Sequence, residues 1–208
     1  MPLTVVDHPL VSDRVARLRS TTTASAEFRR LTAELSTFLA YEAARTLPTV
    51  AGTVRTPLDV DAPAHRLPER SPLLVPILRA GLGLLDGVLA AIPSAEVGLV
   101  GLARNEETRE PEPYCLRLPA ELPSTAFVLD PMLATGGSMI WTCRLLAERG
   151  VREIVALCLI SAPEGVERVA AEAPDVHVVT AALDERLNDL AFIVPGLGDA
   201  GDRLYGRV

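Results

Sequence analysis

Residues 127–146 read FVLDPMLATGGSMIWTCRLL: an apolar run meets an acid at Asp130, passes through a turn of small residues and continues as an amphipathic segment. This order predicts a strand, a ligand-side loop and a helix whose amino terminus opens on that loop. In open α/β sheets ligands gather at the carboxyl ends of strands, and a helix amino terminus there offers unpaired N–H groups and a favourable dipole to an anion. Gly136 and Gly137 let backbone come close to such an anion, and the hydroxyls of Thr135 and Ser138 can donate to its oxygens. Asp130 would repel a bare phosphate beside it but can accept hydrogen bonds from a sugar diol, so the loop suits a sugar phosphate. A Thr-Gly-Gly turn before a helix is common, and these letters alone leave an ordinary turn open.

The alternation continues on both sides of this stretch. Residues 73–78 read as a short apolar strand, 82–92 as a helix, 97–102 as a strand and 125–129 as the strand that runs into Asp130. Downstream, a helix over 137–149 stops at Gly150, where a left-handed residue is expected, and strand 154–160, helix 163–173 and strand 176–181 follow. Strands apolar throughout, separated by amphipathic helices, predict a mostly parallel sheet covered on both faces, an α/β fold that is doubly wound.

The flanks are read less sharply. Leu31, Leu35, Phe38 and Leu39 share one helical face and Glu27, Arg30 and Glu34 another, which makes the amino-terminal region a helix. Residues 48–72 are rich in Pro, Thr and Asp and suggest an irregular or edge-hairpin excursion. Residues 104–119, RNEETREPEPYCLRLP, read as a long loop or extended hairpin able to cover a site. The glycines at 196, 198, 201 and 206, with little helical patterning, predict irregular chain from 188 to 208, packed over the sheet's edge. A single domain is expected, with residues 1–72 as an amino-terminal arm, 73–182 as the core and 183–208 as a hood.

Composition narrows the function classes. With 208 residues, 49% hydrophobic and 4% aromatic, the chain can bury one substantial aliphatic core. Its apolar runs fall far below membrane-spanning length and its start lacks a charged-then-apolar leader, so a cytoplasmic protein is expected. Cys115, Cys143 and Cys158 are odd in number and form no C-x-x-C pair, which suggests reduced, space-filling thiols. All 20 basic residues are arginine; the missing lysine excludes a Walker A phosphate loop and any Schiff base. A formal charge of −7 argues against a broad nucleic-acid footprint but not against a small anion held by a few arginines. His8, His65 and His177 lie outside the motifs, and the acid pairs Glu106-Glu107 and Asp184-Glu185 read as solvated charge, so no general base or paired-carboxylate site is assigned.

Residues 128–138, VLDPMLATGGS, resemble the loop that binds 5-phosphoribosyl 1-diphosphate (PRPP) in type I phosphoribosyltransferases, in the form with Pro after the Asp that is typical of uracil phosphoribosyltransferases. VPILRAGLGLLDGVL, ARNEETREPEPY, ISAPEG and IVPGLGDAGDRLYG are similar to that family's blocks and come in the same order, as do the opening HPLV and the stretch TFLAYEA. The resemblance spans essentially the whole chain. It implies the type I phosphoribosyltransferase fold, with an amino-terminal helical arm and an irregular carboxy-terminal hood. The implied reaction is phosphoribosyl transfer to N1 of uracil, giving UMP and diphosphate, with Mg²⁺ expected mainly through PRPP and water. By the same resemblance Asp130, Pro131, Met132, Leu133, Ala134, Thr135, Gly136, Gly137 and Ser138 would hold the ribose hydroxyls and 5-phosphate, while Arg79 and Arg104 would meet the diphosphate. Main-chain groups of Ile193, Gly198 and Ala200 would pair with the uracil edge, and Asp199 matches a position near PRPP and the base. A GTP effector and a homodimer or larger assembly are also implied.

Three departures from the family's usual text stand out: Ala103 where an aromatic residue is frequent, Arg109 in place of an apolar loop residue, and a Tyr205-Gly206-Arg207-Val208 ending. A different class remains open, a non-catalytic sensor of PRPP or nucleotide that regulates RNA, which the acidic charge disfavours. A phosphoribosyltransferase for another base is the second rival, and the PGLGDAG segment favours uracil over it.

Overall fold

The computed structural model describes residues 1–70, 72–104 and 111–206, with residue 104 described for its backbone alone. The chain opens with strand β1 (Leu3–Val5), helices α1 (Pro9–Arg19) and α2 (Ser25–Ala43), strands β2 (Val50–Arg55), β3 (Asp61–Arg66) and β4 (Leu73–Leu78), and helix α3 (Leu82–Ala91). Strands β5 (Glu96–Val97), β6 (Leu99–Arg104), β7 (Pro111–Arg117), β8 (Thr125–Leu129) and β9 (Met132–Leu133) lead to helix α4 (Gly137–Glu148). Strand β10 (Glu153–Ser161), helix α5 (Pro163–Glu172), strands β11 (His177–Leu183), β12 (Arg186–Leu187) and β13 (Ile193–Val194), and helix α6 (Ala200–Tyr205) complete it.

The main sheet has the order β1-β11-β10-β8-β4-β6-β7, with β5 extending β4 and β9 extending β10. Every neighbouring pair is parallel except β6 with the edge strand β7. From β4 the chain crosses through α3 to β6 on one side, whereas from β8 it crosses through α4 to β10 on the other. Connections therefore diverge between β4 and β8, where Pro76 lies opposite Leu129, and a crevice opens at the carboxyl ends of these two strands.

Alternate strand residues supply the two faces. Leu74, Phe127, Leu129 and Leu157 pack with Leu18, Phe28, Leu35, Val88 and Leu204 of the helical layer formed by α1, α2, α3 and α6. Val75, Val128, Ala156 and Cys158 pack with Met139, Ile140, Leu146 and Val169 of α4 and α5. Both faces of the central strands are covered, which is why those strands read as continuous apolar runs. The three cysteines are free thiols, and burial pushes Cys143 up to about 12 and Cys158 well above the usual thiol range. Among the described residues no helix is long and apolar enough to cross a membrane.

The flanks correct the sequence reading in part. The amino-terminal region holds two helices rather than one, and Leu3–Val5 forms a strand of the main sheet beside β11. Three residues are too few for an alternation signal, and a parallel partner more than 170 positions away is invisible to local pattern. Residues 48–72 contain an antiparallel hairpin in which Val50 faces Arg66 and Arg55 faces Asp61. The charged stretch continues as β7 against β6, an extended hairpin, while residues 105–110 lie outside the described residues. The carboxy-terminal segment is not irregular throughout. It carries β13, which pairs with β12 just ahead of it, and the short helix α6, whose six residues are too few for helical periodicity to register.

Candidate functional site

The crevice is built from two loops and a hood. The first loop, residues 79–81, turns back on the strands as soon as β4 ends: Gly81 N–H donates to Ile77 O at 2.9 Å and Leu82 N–H to Arg79 O at 3.1 Å. The fit is tight, because a Cβ on Gly81 would stand 2.3 Å from Leu129 O and 2.6 Å from both the backbone N and O of Ile77. The Leu78–Arg79 peptide is cis. The Arg79 side chain is exposed at the end of this buried strand.

The second loop, residues 130–138, hangs from β10. Asp130 N–H donates to Leu157 O at 3.2 Å, Pro131 O accepts from the N–H groups of Leu159 and Ile160, and Leu133 O accepts from Ala162 N–H at 2.9 Å. Burial pushes the Asp130 carboxyl up to about 7, against the opposing pull of one long N–H contact from Met132 at 3.4 Å. Pro131 and Leu133 are buried with their carbonyls engaged by Leu159, Ile160 and Ala162, whereas Thr135 is exposed and Ser138 partly so. Gly136 caps α4 with φ +78°, no side chain takes the cap hydrogen bond, and the first turn carries no acid. A 12-residue helix thus points open N–H groups and its positive end at the loop, a site for an anion.

Gly165 of α5 backs the loop closely, since a Cβ there would lie 2.3 Å from Ala134 O. Its neighbour Glu164 accepts from Leu187 N–H at 2.8 Å, which ties the start of α5 to the β12–β13 pair of the hood. In the hood, Ile193 and Ala200 are buried against the core, whereas Gly198, at φ +80°, is exposed. Asp199 Oδ1 accepts from Asp202 N–H at 2.8 Å and caps α6, whose Leu204 packs over Gly83 at the start of α3. One acid oxygen of Asp199 is therefore engaged in structure.

Arg203 holds the hood to the α1–α2 turn. Its guanidinium donates to the carbonyls of Leu18, Leu197, Ser20 and Thr23 and lies 4.3 Å from the centre of the Phe28 ring. Arg203→Ala strands several of these acceptors and is expected to lower stability by about 2–3 kcal/mol, read as a lower urea midpoint at unchanged slope.

The family model described as "Uracil phosphoribosyltransferase" matches residues 5–207 of this chain. The chain belongs to the uracil phosphoribosyltransferase family. It is 51% identical to proteins of that name from Kineococcus radiotolerans, over the whole of both chains, and from Streptomyces coelicolor, over 99% of each. Among solved structures, protein AQ2163 from Aquifex aeolicus superposes with a TM-score of 0.92 at 38% identity, covering 98% of both chains. An adenine phosphoribosyl transferase from Trypanosoma brucei, solved with AMP, pyrophosphate and ribose-5-phosphate, superposes at a TM-score of 0.56 and 14% identity over 86% of this chain and 82% of its own. The fold is that of the type I phosphoribosyltransferases.

Against the family's pattern, the fold brings Arg79 and the 130–138 loop to one crevice, on the adjacent strands β4 and β8. The Arg104 side chain and Arg109 lie outside the described residues, as do Glu106, Glu107, Arg207 and Val208. Four supporting residues escaped the sequence reading: Arg19, Glu164, Asp184 and Arg203. Asp184 is a correction. It is buried rather than solvated, with its carboxylate accepting from Arg19 and from Gly196 N–H. A signal was present, because Asp184 follows an apolar strand just as Asp130 does. Contacts spanning 165 positions to Arg19 and 185 to Arg203 from the far end carry no local mark.

Proposed function

We propose that this protein transfers the 5-phosphoribosyl group of PRPP to N1 of uracil, releasing diphosphate and forming UMP, as a pentosyltransferase of cytoplasmic pyrimidine salvage. The observation that carries this reading is the meeting, where the sheet's connections diverge, of an acid, an uncapped helix amino terminus and an arginine from the neighbouring strand. Family membership favours catalysis over a sensor of the same fold.

In this reading the open N–H groups of α4 with Thr135 and Ser138 hold the 5-phosphate, and Asp130 accepts from the ribose hydroxyls. Arg79, with Arg104, faces the diphosphate, where a planar fork of donors that cannot lose its charge stabilises negative charge as the C1–oxygen bond breaks. Main-chain groups at Ile193, Gly198 and Ala200 meet the base edge, aligning N1 with C1; alignment of two substrates supplies roughly 7–11 kcal/mol of effective molarity. Asp199, through its second oxygen, lies beside the base and PRPP. Among the described residues no cluster of three or more His, Cys, Asp or Glu is arranged around a metal. Mg²⁺ would be carried mainly by PRPP oxygens and water, supplying charge neutralisation at the diphosphate, with Asp130 the acid facing the ribose beside it. The same reading includes a GTP effector and a homodimer or larger assembly; exposed Leu58 and Val60 at the β2–β3 hairpin and exposed Leu3 and Val5 on the β1 edge favour self-association.

The deciding experiment is UMP formation from radiolabelled uracil and PRPP with Mg²⁺, beside cytosine, orotate and hypoxanthine. Selective use of uracil supports the reading; equal or better use of another base rejects it. Arg79→Ala is expected to lower kcat by about a hundredfold with little change in thermal stability, since the side chain is exposed. Full turnover in that variant would remove Arg79 from the diphosphate site.

A further inference from the structure

The base-facing turn, residues 195–199, lies beyond the end of the two-residue ladder between β12 and β13. It is held instead by a closed ring of side-chain contacts. Gly196, at φ +65°, donates its N–H to Asp184 Oδ2 at 2.8 Å and accepts at its carbonyl from Arg19 Nη1, also at 2.8 Å. The Arg19 fork in turn donates Nη1 to Asp184 Oδ2 at 2.8 Å and Nη2 to Oδ1 at 2.5 Å. The Asp184 side chain is 3% exposed and that of Arg19 25%. Asp184 follows directly on β11, where its N–H donates to Ser161 O at 2.8 Å, and Arg19 is the last residue of α1. Two rigid elements therefore grip both polar groups of one peptide residue.

We propose that Arg19 and Asp184 are positioning residues for the nucleobase: they fix the turn at Gly196 so that the main chain at Ile193, Gly198 and Ala200 presents its donors and acceptors in register with the base edge. This rests on the hood being the uracil site. Main-chain recognition has no side chain free to adjust, so its accuracy depends wholly on what holds the backbone, and a displacement of about 1 Å can cost roughly a hundredfold. The ring is well suited to that task. The buried carboxylate is satisfied by three N–H donors, and loss of Arg19 leaves it with the Gly196 N–H alone. In this proposal both residues act through the turn rather than through contact with the base. Their effect is to be looked for in base affinity and base discrimination, with PRPP handling left to the crevice loops.

The test is steady-state kinetics of Arg19→Gln, Arg19→Lys and Asp184→Asn, varying uracil and PRPP independently, with cytosine as competitor and thermal unfolding alongside. Expected is a rise of about tenfold or more in KM for uracil, a fall in the preference for uracil over cytosine, and a KM for PRPP within about threefold of wild type. Arg19→Lys, which keeps charge but loses the fork, should fall between wild type and Arg19→Gln. Asp184→Asn keeps an acceptor for Gly196 N–H and guards against a variant that does not fold. Uracil KM and base preference unchanged in all three would overturn the proposal, as would a loss of kcat that tracks the folded fraction with both KM values constant. A wild type that uses another base instead would overturn the uracil reading itself, and the positioning role would then be judged by KM for that base.

Discussion

Asp130→Asn should lower turnover by at least about a hundredfold while leaving the protein folded, because in the proposed function it removes the acceptor for the ribose hydroxyls without changing side-chain volume. The carboxyl stands at about 7 because burial opposes its charge and only one long N–H contact offsets this. In the wild type, kcat/KM for PRPP should therefore fall as pH drops below about 7, where the free enzyme protonates Asp130. PRPP's 5-phosphate titrates near 6, and the asparagine variant, which retains only that titration, separates the two contributions. Stability has the opposite dependence. The folded state holds this proton more tightly than the unfolded chain, whose group titrates near 3.8, so Asp130's contribution is most favourable below that value. It declines as pH rises to about 7 and is flat beyond. At pH 8 the asparagine variant should thus melt no lower than wild type, and a variant that lost activity by unfolding would contradict this account.

Gly81→Ala should be nearly as damaging to activity for a steric reason. The new methyl would stand 2.3 Å from Leu129 O and 2.6 Å from two backbone atoms of Ile77, none of them able to swing away. Either the 79–81 loop lifts or the end of β8 moves, and both carry site residues. The overpacking itself costs about 1–3 kcal/mol, but the displacement falls between Arg79 and Asp130, so a hundredfold or greater loss of kcat/KM is expected in protein that remains folded. Circular dichroism melting beside PRPP saturation kinetics checks both parts. Wild-type kinetics would show that the loop tolerates the displacement.

How far the sequence could be read follows the range of the interactions. The strands at 73–78 and 125–129 coincide with β4 and β8, and the helix after Gly136 was bounded by glycines whose φ values of +78° and +93° are positive. Burial on both faces, a helix period and a glycine stop are each written within a dozen letters. The 130–138 loop was legible for the same reason, because strand, acid, small residues and helix are consecutive. The hood's anchorage was not. Arg19 with Asp184, Arg203 with Leu18, and β1 with β11 join opposite ends of the chain, and each partner alone looks like an ordinary surface charge or a short apolar fragment. Asp199 was singled out by the family resemblance alone, and its cap on α6 required the helix to be seen.

The strand order also sets the order in which parts of the molecule come loose. β4 and β8 lie towards the middle of the ladder, flanked on both sides, whereas β1 and β7 form its rims. Fraying at either rim leaves the central pair intact, so the two loops rooted there are among the last segments to open. The hood has no strand in that ladder; β12 and β13 pair only with each other. It is held by side-chain ties and by Ile193, Leu197, Ala200 and Leu204 in the core, with no ladder to the sheet, so it should open before the central strands do. If the hood selects the base as proposed, moderate heat or denaturant should weaken discrimination between bases before it weakens binding of the sugar phosphate.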